Sequence, residues 1–235
     1  MAAVMGVAFV RRLRGRGPES SPSSGEDRMF TQFAPGGPEG FWFNGLLGRV
    51  FARIQPLGHA GLYTVVAEML DLQPEDELLD IGCGPGAFMA RKAGHVRRVV
   101  GLDPSRTMLA AAEKNLTERI TAGTARLVQA SAADLPFPDD EFSVITAITA
   151  PANLAEVFRV LRPGGRFVWV DELVDDAKQP SAERIGRFGW SEAEFQGVIR
   201  DAGFTDLAVR YQDVSFPGGS SLAGNRIVAC RKPAP

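Results

Sequence analysis

Between residues 77 and 202, short apolar runs alternate with helix-length amphipathic segments, and no other feature limits the fold of this chain as tightly. Strands are expected at 77–81, 97–102, 125–129, 142–148 and 166–172. Helices are expected near 86–94, 105–120, 153–161 and 191–202. Strands that alternate with helices predict an α/β fold in which a doubly wound, mostly parallel sheet is covered on both faces. Two further strand-like runs, LAVRYQDV and NRIVACRK, follow with no helix between them. They predict a hairpin that brings the sheet to seven strands and includes an antiparallel strand at its edge.

Ahead of the sheet, apolar residues from Phe41 to Leu70 recur at helical spacing, with Pro56 between two stripes. Leu46, Leu47, Val50, Phe51 and Ile54 form the first stripe, and Leu62, Val65, Val66, Met69 and Leu70 form the second. Both are expected to pack as core. The first 28 residues place RRLRGRG after an apolar start, the reverse of a secretory signal, and continue into PESSPSSGED. The expected organisation is a disordered extension over 1–40, a helical cap over 41–74 and the main domain over 75–235. Met29 is an alternative natural start.

A chain of 235 residues with 45% hydrophobic content can bury one sizeable core. The formal net charge of -2 and the interspersed charges offer no broad field for a phosphate backbone, so nucleic acid is not expected as a partner. Cys83 and Cys230 are too few for a disulfide framework and lack the spacing of a zinc site, so no metal is expected. A reducing, cytoplasmic location is expected. No apolar run approaches the roughly 20 residues that cross a bilayer.

The first strand, ELLDI, runs directly into GCGPG, with Gly82, Gly84 and Gly86 at alternate positions. In an open parallel sheet, ligands bind beyond the carboxyl ends of the strands where the strand order reverses. Glycines there allow a tight turn and close approach to a ligand. A dinucleotide loop places its third glycine three positions after the second; here Ala87 holds that place, which the relaxed G-x-G-x-x-A form still accepts. Asp80, at the end of the strand, suits a cationic ligand and would repel a pyrophosphate. Asp103, at the end of the second strand, suits two adjacent ribose hydroxyls, or capping of the helix that begins at Pro104. NAD therefore stays open as an alternative ligand.

LLDIGCGPG, VVGLDPSRTML, ASAADLPFPDDEFSVITA and VLRPGGRFVWVDE, in that order, resemble the motifs of the class I S-adenosylmethionine-dependent methyltransferases. The likeness is to the small-molecule group that includes ubiquinone and menaquinone biosynthesis enzymes. FWFNGLLGRVFARIQPLGHAGL resembles the helical cap of a bacterial subgroup. The resemblance spans roughly residues 40–233 and implies a Rossmann-like fold with S-adenosyl-L-methionine as cofactor. It further implies that Asp80 and the backbone of Gly82, Cys83, Gly84 and Gly86 hold the amino acid end. Asp103 would bind the ribose, while Pro104 and Met108 pack on the adenine. Where the family usually has Gly-Asp-Ala, this chain has Ala130, Ser131 and Ala132, so Ser131 and the Ala132 amide would mark the adenine edge.

The implied activity is in-line transfer of a methyl group to a small-molecule acceptor that the sequence does not identify. A non-catalytic S-adenosylmethionine-binding protein and an NAD-dependent oxidoreductase are the alternatives. After the fourth strand, TAITAPANLAEVF passes almost directly into a helix, several residues shorter than the loop that walls the acceptor pocket in relatives. His59, in the cap, and Asp171, near the end of the fifth strand, are the candidate general bases, with Glu172 and Tyr63 behind them. Asp134, Phe137 and Phe142 read as structural, and so does Cys83, despite its place in the loop. Ser191 with Glu194 predicts a capping box, and the aromatics near it, Phe188, Trp190 and Phe195, read as core.

Overall fold

A computed structural model describes residues 45–173, 186–187, 189–215 and 221–235. The expected extension over 1–40, the Met29 start, Phe188 and the side chains of Leu46, Leu47, Phe51 and Ile54 lie outside the described residues.

The chain begins with two helices, α1 (Gly45–Gly58) and α2 (Ala60–Leu70). It then alternates through β1 (Glu77–Ile81), α3 (Ala87–Lys92), β2 (Arg98–Leu102), α4 (Arg106–Asn115), α5 (Thr117–Thr121) and β3 (Ala125–Val128). After β4 (Phe142–Ile148) come α6 (Leu154–Val160), β5 (Leu161–Glu172), α7 (Glu192–Asp201), β6 (Thr205–Ser215) and β7 (Ser221–Arg231). All seven strands join one sheet in the order β3-β2-β1-β4-β5-β7-β6. The first five in sequence run parallel, and β7 pairs antiparallel with both β5 and β6. The order reverses between β1 and β4, which makes the carboxyl ends of those strands the natural ligand crevice.

Four expectations need correction. The antiparallel strand is not at the edge: β7 is inserted between β5 and β6, and β6 is the outer strand. Helix α1 continues through Pro56 to Gly58, and the break falls at His59 instead. A proline so near the end of a helix leaves only one further half-turn to be held without its N–H. Val50, assigned to the core stripe, is 46% exposed. The helix expected over 105–120 is also divided, at Leu116, into α4 and α5.

Alternation along the strands splits the core into two layers. Leu79, Ile81, Ile145, Phe167 and Trp169 face one side and pack with α6 and α7 through Val157, Phe195 and Ile199. Leu78, Val144, Val168, Val170 and Ile227 face the other, under Leu62, Tyr63 and Val66 of α2 and Phe88 and Met89 of α3. Phe137 and Phe142 are buried core residues, in edge-to-face contact at 5.0 Å. At the amino-terminal edge of the sheet, Asp76 is buried and accepts from Arg166 Nη2, Ser143 Oγ and the amide of Gln73. This network ties the α2–β1 connection to β4 and β5. It fixes the polarity of α2, whose carboxyl end lies at the amino ends of the strands and whose amino end therefore lies at their carboxyl ends. The Gly45 amide of α1 meets Thr107 Oγ1 of α4 at 3.3 Å, so α1 reaches from the β2 side of the crevice to α2.

Candidate functional site

The glycine loop follows β1 with three left-handed glycines, Gly82 (φ 66°), Gly84 (φ 51°) and Gly86 (φ 71°). Two of them are demanded by neighbouring protein. A β-carbon on Gly82 would lie 2.4 Å from Ala150 Cβ, and one on Gly86 would lie 3.1 Å from Ala112 Cβ and 3.2 Å from Leu116 Cδ1. Gly86 thus lets α3 lie against α4, while Gly82 lets the segment after β4 close onto the loop. Thr149 turns that segment with a positive φ of 52°, which is rare for a β-branched residue, and Trp169 Nε1 holds it by donating to the Ala150 carbonyl at 2.9 Å.

Gly84 donates its N–H to Asp103 Oδ2 at 2.9 Å, and the Ser105 N–H donates to Asp103 Oδ1 at 2.8 Å. Asp103 is therefore clamped between the loop and the start of α4. It is not the helix cap; Ser105 is, accepting from the Met108 amide at 3.3 Å. Burial pushes the Asp103 carboxyl up to about 6 against the pull of its two backbone N–H donors. Asp80 is 2% exposed, and no residue among those described donates a hydrogen bond to it or forms an ion pair with it. Burial first, and then the nearby Asp103, raise its carboxyl well above the usual range. Two buried acids side by side without a cation are unfavourable unless a ligand brings positive charge and hydrogen-bond donors.

The remaining residues named from the sequence fall on different sides of this centre. Cys83 is buried with Met89 and Leu127 around Gly101, and desolvation raises its thiol, so it serves packing and is not a nucleophile. Pro104 is half-buried beside Asp103, whereas Met108 is 1% exposed in the core. Ser131 is exposed and its Oγ accepts from the Ala133 amide at 3.2 Å, next to buried Ala132. Tyr63 of α2 reaches over the loop; its ring meets Phe88 edge-on at 5.9 Å and His59 at 6.0 Å. Burial, with the Asp80 charge second, raises its phenol above the ordinary value. His59 precedes α2 without capping it through its side chain. Asp171, the other candidate base, is fully buried and its Oδ2 is held by Arg226 Nη2 at 2.7 Å. The sequence carried no sign of this, because Asp171 and Arg226 meet only through the β5–β7 register.

A profile of the methyltransferase domain matches residues 78–165, which run from β1 into β5 and contain the loop, Asp80 and Asp103. That match takes in less than half of the chain. Over 128 residues the chain is 33% identical to the demethylmenaquinone methyltransferase of Symbiobacterium thermophilum, which covers 50% of this chain and 49% of that protein. The chain thus spans about half the length of the curated relatives it matches. Among solved structures, the YcgJ protein of Bacillus subtilis superposes with a TM-score of 0.57 at 19% identity, over 75% of this chain and 100% of that one. The [4+2]-cyclase SpnF gives 0.58 at 23% identity, over 74% and 82%. At such identities these likenesses speak for the fold alone.

Proposed function

We propose that this protein is an S-adenosyl-L-methionine-dependent methyltransferase that acts on a small-molecule acceptor. The observation that carries the reading is the pair of buried carboxylates, Asp80 without a cationic partner among the described residues and Asp103 held by the Gly84 and Ser105 amides. The cofactor's charge pattern suits them, with its ammonium and sulfonium placed near Asp80 and its ribose hydroxyls at Asp103. A dinucleotide would instead bring pyrophosphate charge to the same loop, where Asp80 opposes it.

When bound, the cofactor supplies an activated methyl group on a cationic sulfur. The protein's own contribution is placement. Asp103, fixed through both oxygens, orients the ribose, and the Gly82–Gly84 backbone passes beneath the amino acid end. Tyr63, Phe88 and Ile148 belong to the apolar layer on the Asp80 side of the sheet, whose low polarity would help exclude water from the reacting centre. Asp171 is fully buried with its Oδ2 on Arg226 Nη2, away from solvent. The helical cap proposed over 41–74 closes the crevice through α1 and α2, in place of the short segment at Ala150.

Calorimetry with S-adenosylhomocysteine and with NAD tests the ligand. We expect the homocysteine nucleoside to bind and NAD not to. Asp103→Ala should weaken nucleoside binding at least tenfold, about what losing a charged hydrogen-bond acceptor costs. Wild-type affinity should rise with pH through about 6 and then level, as the Asp103 carboxylate forms. NAD binding without nucleoside binding would overturn the proposal. A labelled-methyl screen across phenols, quinols, acids and amines then separates an enzyme from a protein that only binds the cofactor.

A further inference from the structure

The register of the sheet extends the Asp80 row toward a second polar group. Asp80 pairs with Thr146, Thr146 with Val168, and four residues further along β5 Glu172 pairs with Asn225 of β7. These residues share the face covered by α2, along with Ile148, Val170 and Ile227. The amino end of α2 sits there too: a β-carbon on Gly61 would lie 3.7 Å from Gln212 Nε2, and Asn225 Nδ2 donates to the Gln212 carbonyl at 3.4 Å. The row is therefore apolar along its length and polar at its far end.

At that end one acceptor is left over. Asn225 is 1% exposed, and its Oδ1 is buried with no hydrogen-bond partner among the described residues. Reversing the amide would bring two oxygens together at Gln212, so the orientation is set by that contact. Glu172, its cross-strand neighbour, has a side chain that is 39% exposed and opens the cluster to solvent. Arg187 Nη1 lies 3.2 Å from Glu172 Oε2, which leaves the pair close to neutral overall. A second ion pair, Asp171 with Arg226, balances the layer behind it. Such a neutral, acceptor-bearing cluster fits a hydrogen-bond donor without charge. Two strand spacings of about 4.8 Å and four residues of about 3.3 Å separate Asp80 from Glu172 by roughly 16 Å. With the methionine end of the cofactor at Asp80, an acceptor about 10 Å long would span the remainder.

We propose that Asn225 and Glu172 form an anchoring subsite for a neutral hydroxyl at the end of an otherwise apolar acceptor, roughly 10 Å from the atom that receives the methyl group. The subsite rests on the methyltransferase reading above, and both residues act in acceptor selection, away from the reacting atoms.

The probes are 4,4′-dihydroxybiphenyl, whose two hydroxyls are about this far apart, and 4-hydroxybiphenyl, which lacks the second. Their affinities are measured by calorimetry on protein saturated with S-adenosylhomocysteine. The dihydroxy probe should bind about tenfold more tightly, the worth of one buried hydrogen bond. Asn225→Ala and Glu172→Gln should each cut that preference below about threefold and leave affinity for S-adenosylhomocysteine unchanged. Should Asn225→Ala fail to fold, Glu172→Gln carries the test. Equal affinity for the two probes, binding of neither, or a preference that survives the substitutions overturns the subsite. Failure of S-adenosylhomocysteine itself to bind would instead overturn the methyltransferase reading.

Discussion

At Gly82 two penalties fall on one substitution. A β-carbon would meet Ala150 Cβ, and an L-residue at φ 66° is strained even in open space. Together they predict that Gly82→Ala destabilises the protein by about 2–4 kcal/mol, read by urea denaturation. Adding Ala150→Gly should recover the part owed to the collision and leave the roughly 1–2 kcal/mol owed to the backbone. The sequence marks this glycine as special but misassigns what comes close to it. A glycine loop reads the same whether the close neighbour is a ligand or the next loop of the protein, and the partner here lies 68 residues away. Asp80 and Asp103 are different, because carboxylates at the ends of adjacent parallel strands converge by topology alone. Asn225 was not legible at all: its significance is a missing hydrogen bond, which only a packed structure reveals.

Among the elements, the parallel strands followed from their apolar runs because all but the edge strand β3 are largely buried on both faces and each is bounded by turn residues. The position of β7 did not follow, since a hairpin added at an edge and one whose second strand is inserted share the same pattern of residues. What the insertion achieves is chemical: it sets Arg226 opposite Asp171 with both side chains fully buried. Removing one partner strands the other charge, so Asp171→Leu or Arg226→Met alone should cost about 3–5 kcal/mol. The double substitution should fall near the wild type, which urea denaturation of the three variants would check. The guanidinium also lies 4.3 Å from the centre of the Phe195 ring, so α7 should loosen with the single Arg226 variant.

Across the whole molecule, the titration of buried acids links stability to ligand binding. The carboxyls of Asp80, Asp103 and Glu172 are all raised, by burial first in each case. A folded state with raised carboxyl pKa values binds more protons than the unfolded chain between about pH 4 and 6, so stability falls as pH rises through that window. Glu156 and Glu194 are lowered, by the Arg159 hydrogen bond and the Ser191 amide respectively, and act only below their ordinary range. The ligand-free protein should therefore melt at a higher temperature at pH 5 than at pH 7. Saturating S-adenosylhomocysteine should shrink or reverse that difference, because its ammonium and hydroxyls favour the charged acids. Thermal melts at the two pH values, with and without the ligand, give both readings.

The insertion of β7 also orders events during synthesis. Strand β5 leaves the ribosome with Asp171 already on it, yet the strand that covers its open edge and carries the countercharge follows about fifty residues later. Until then the nascent sheet has an unpaired interior edge and an uncompensated acid. Closure of the sheet and neutralisation of its buried charge thus arrive in the same step, and a chain released before Arg226 has neither.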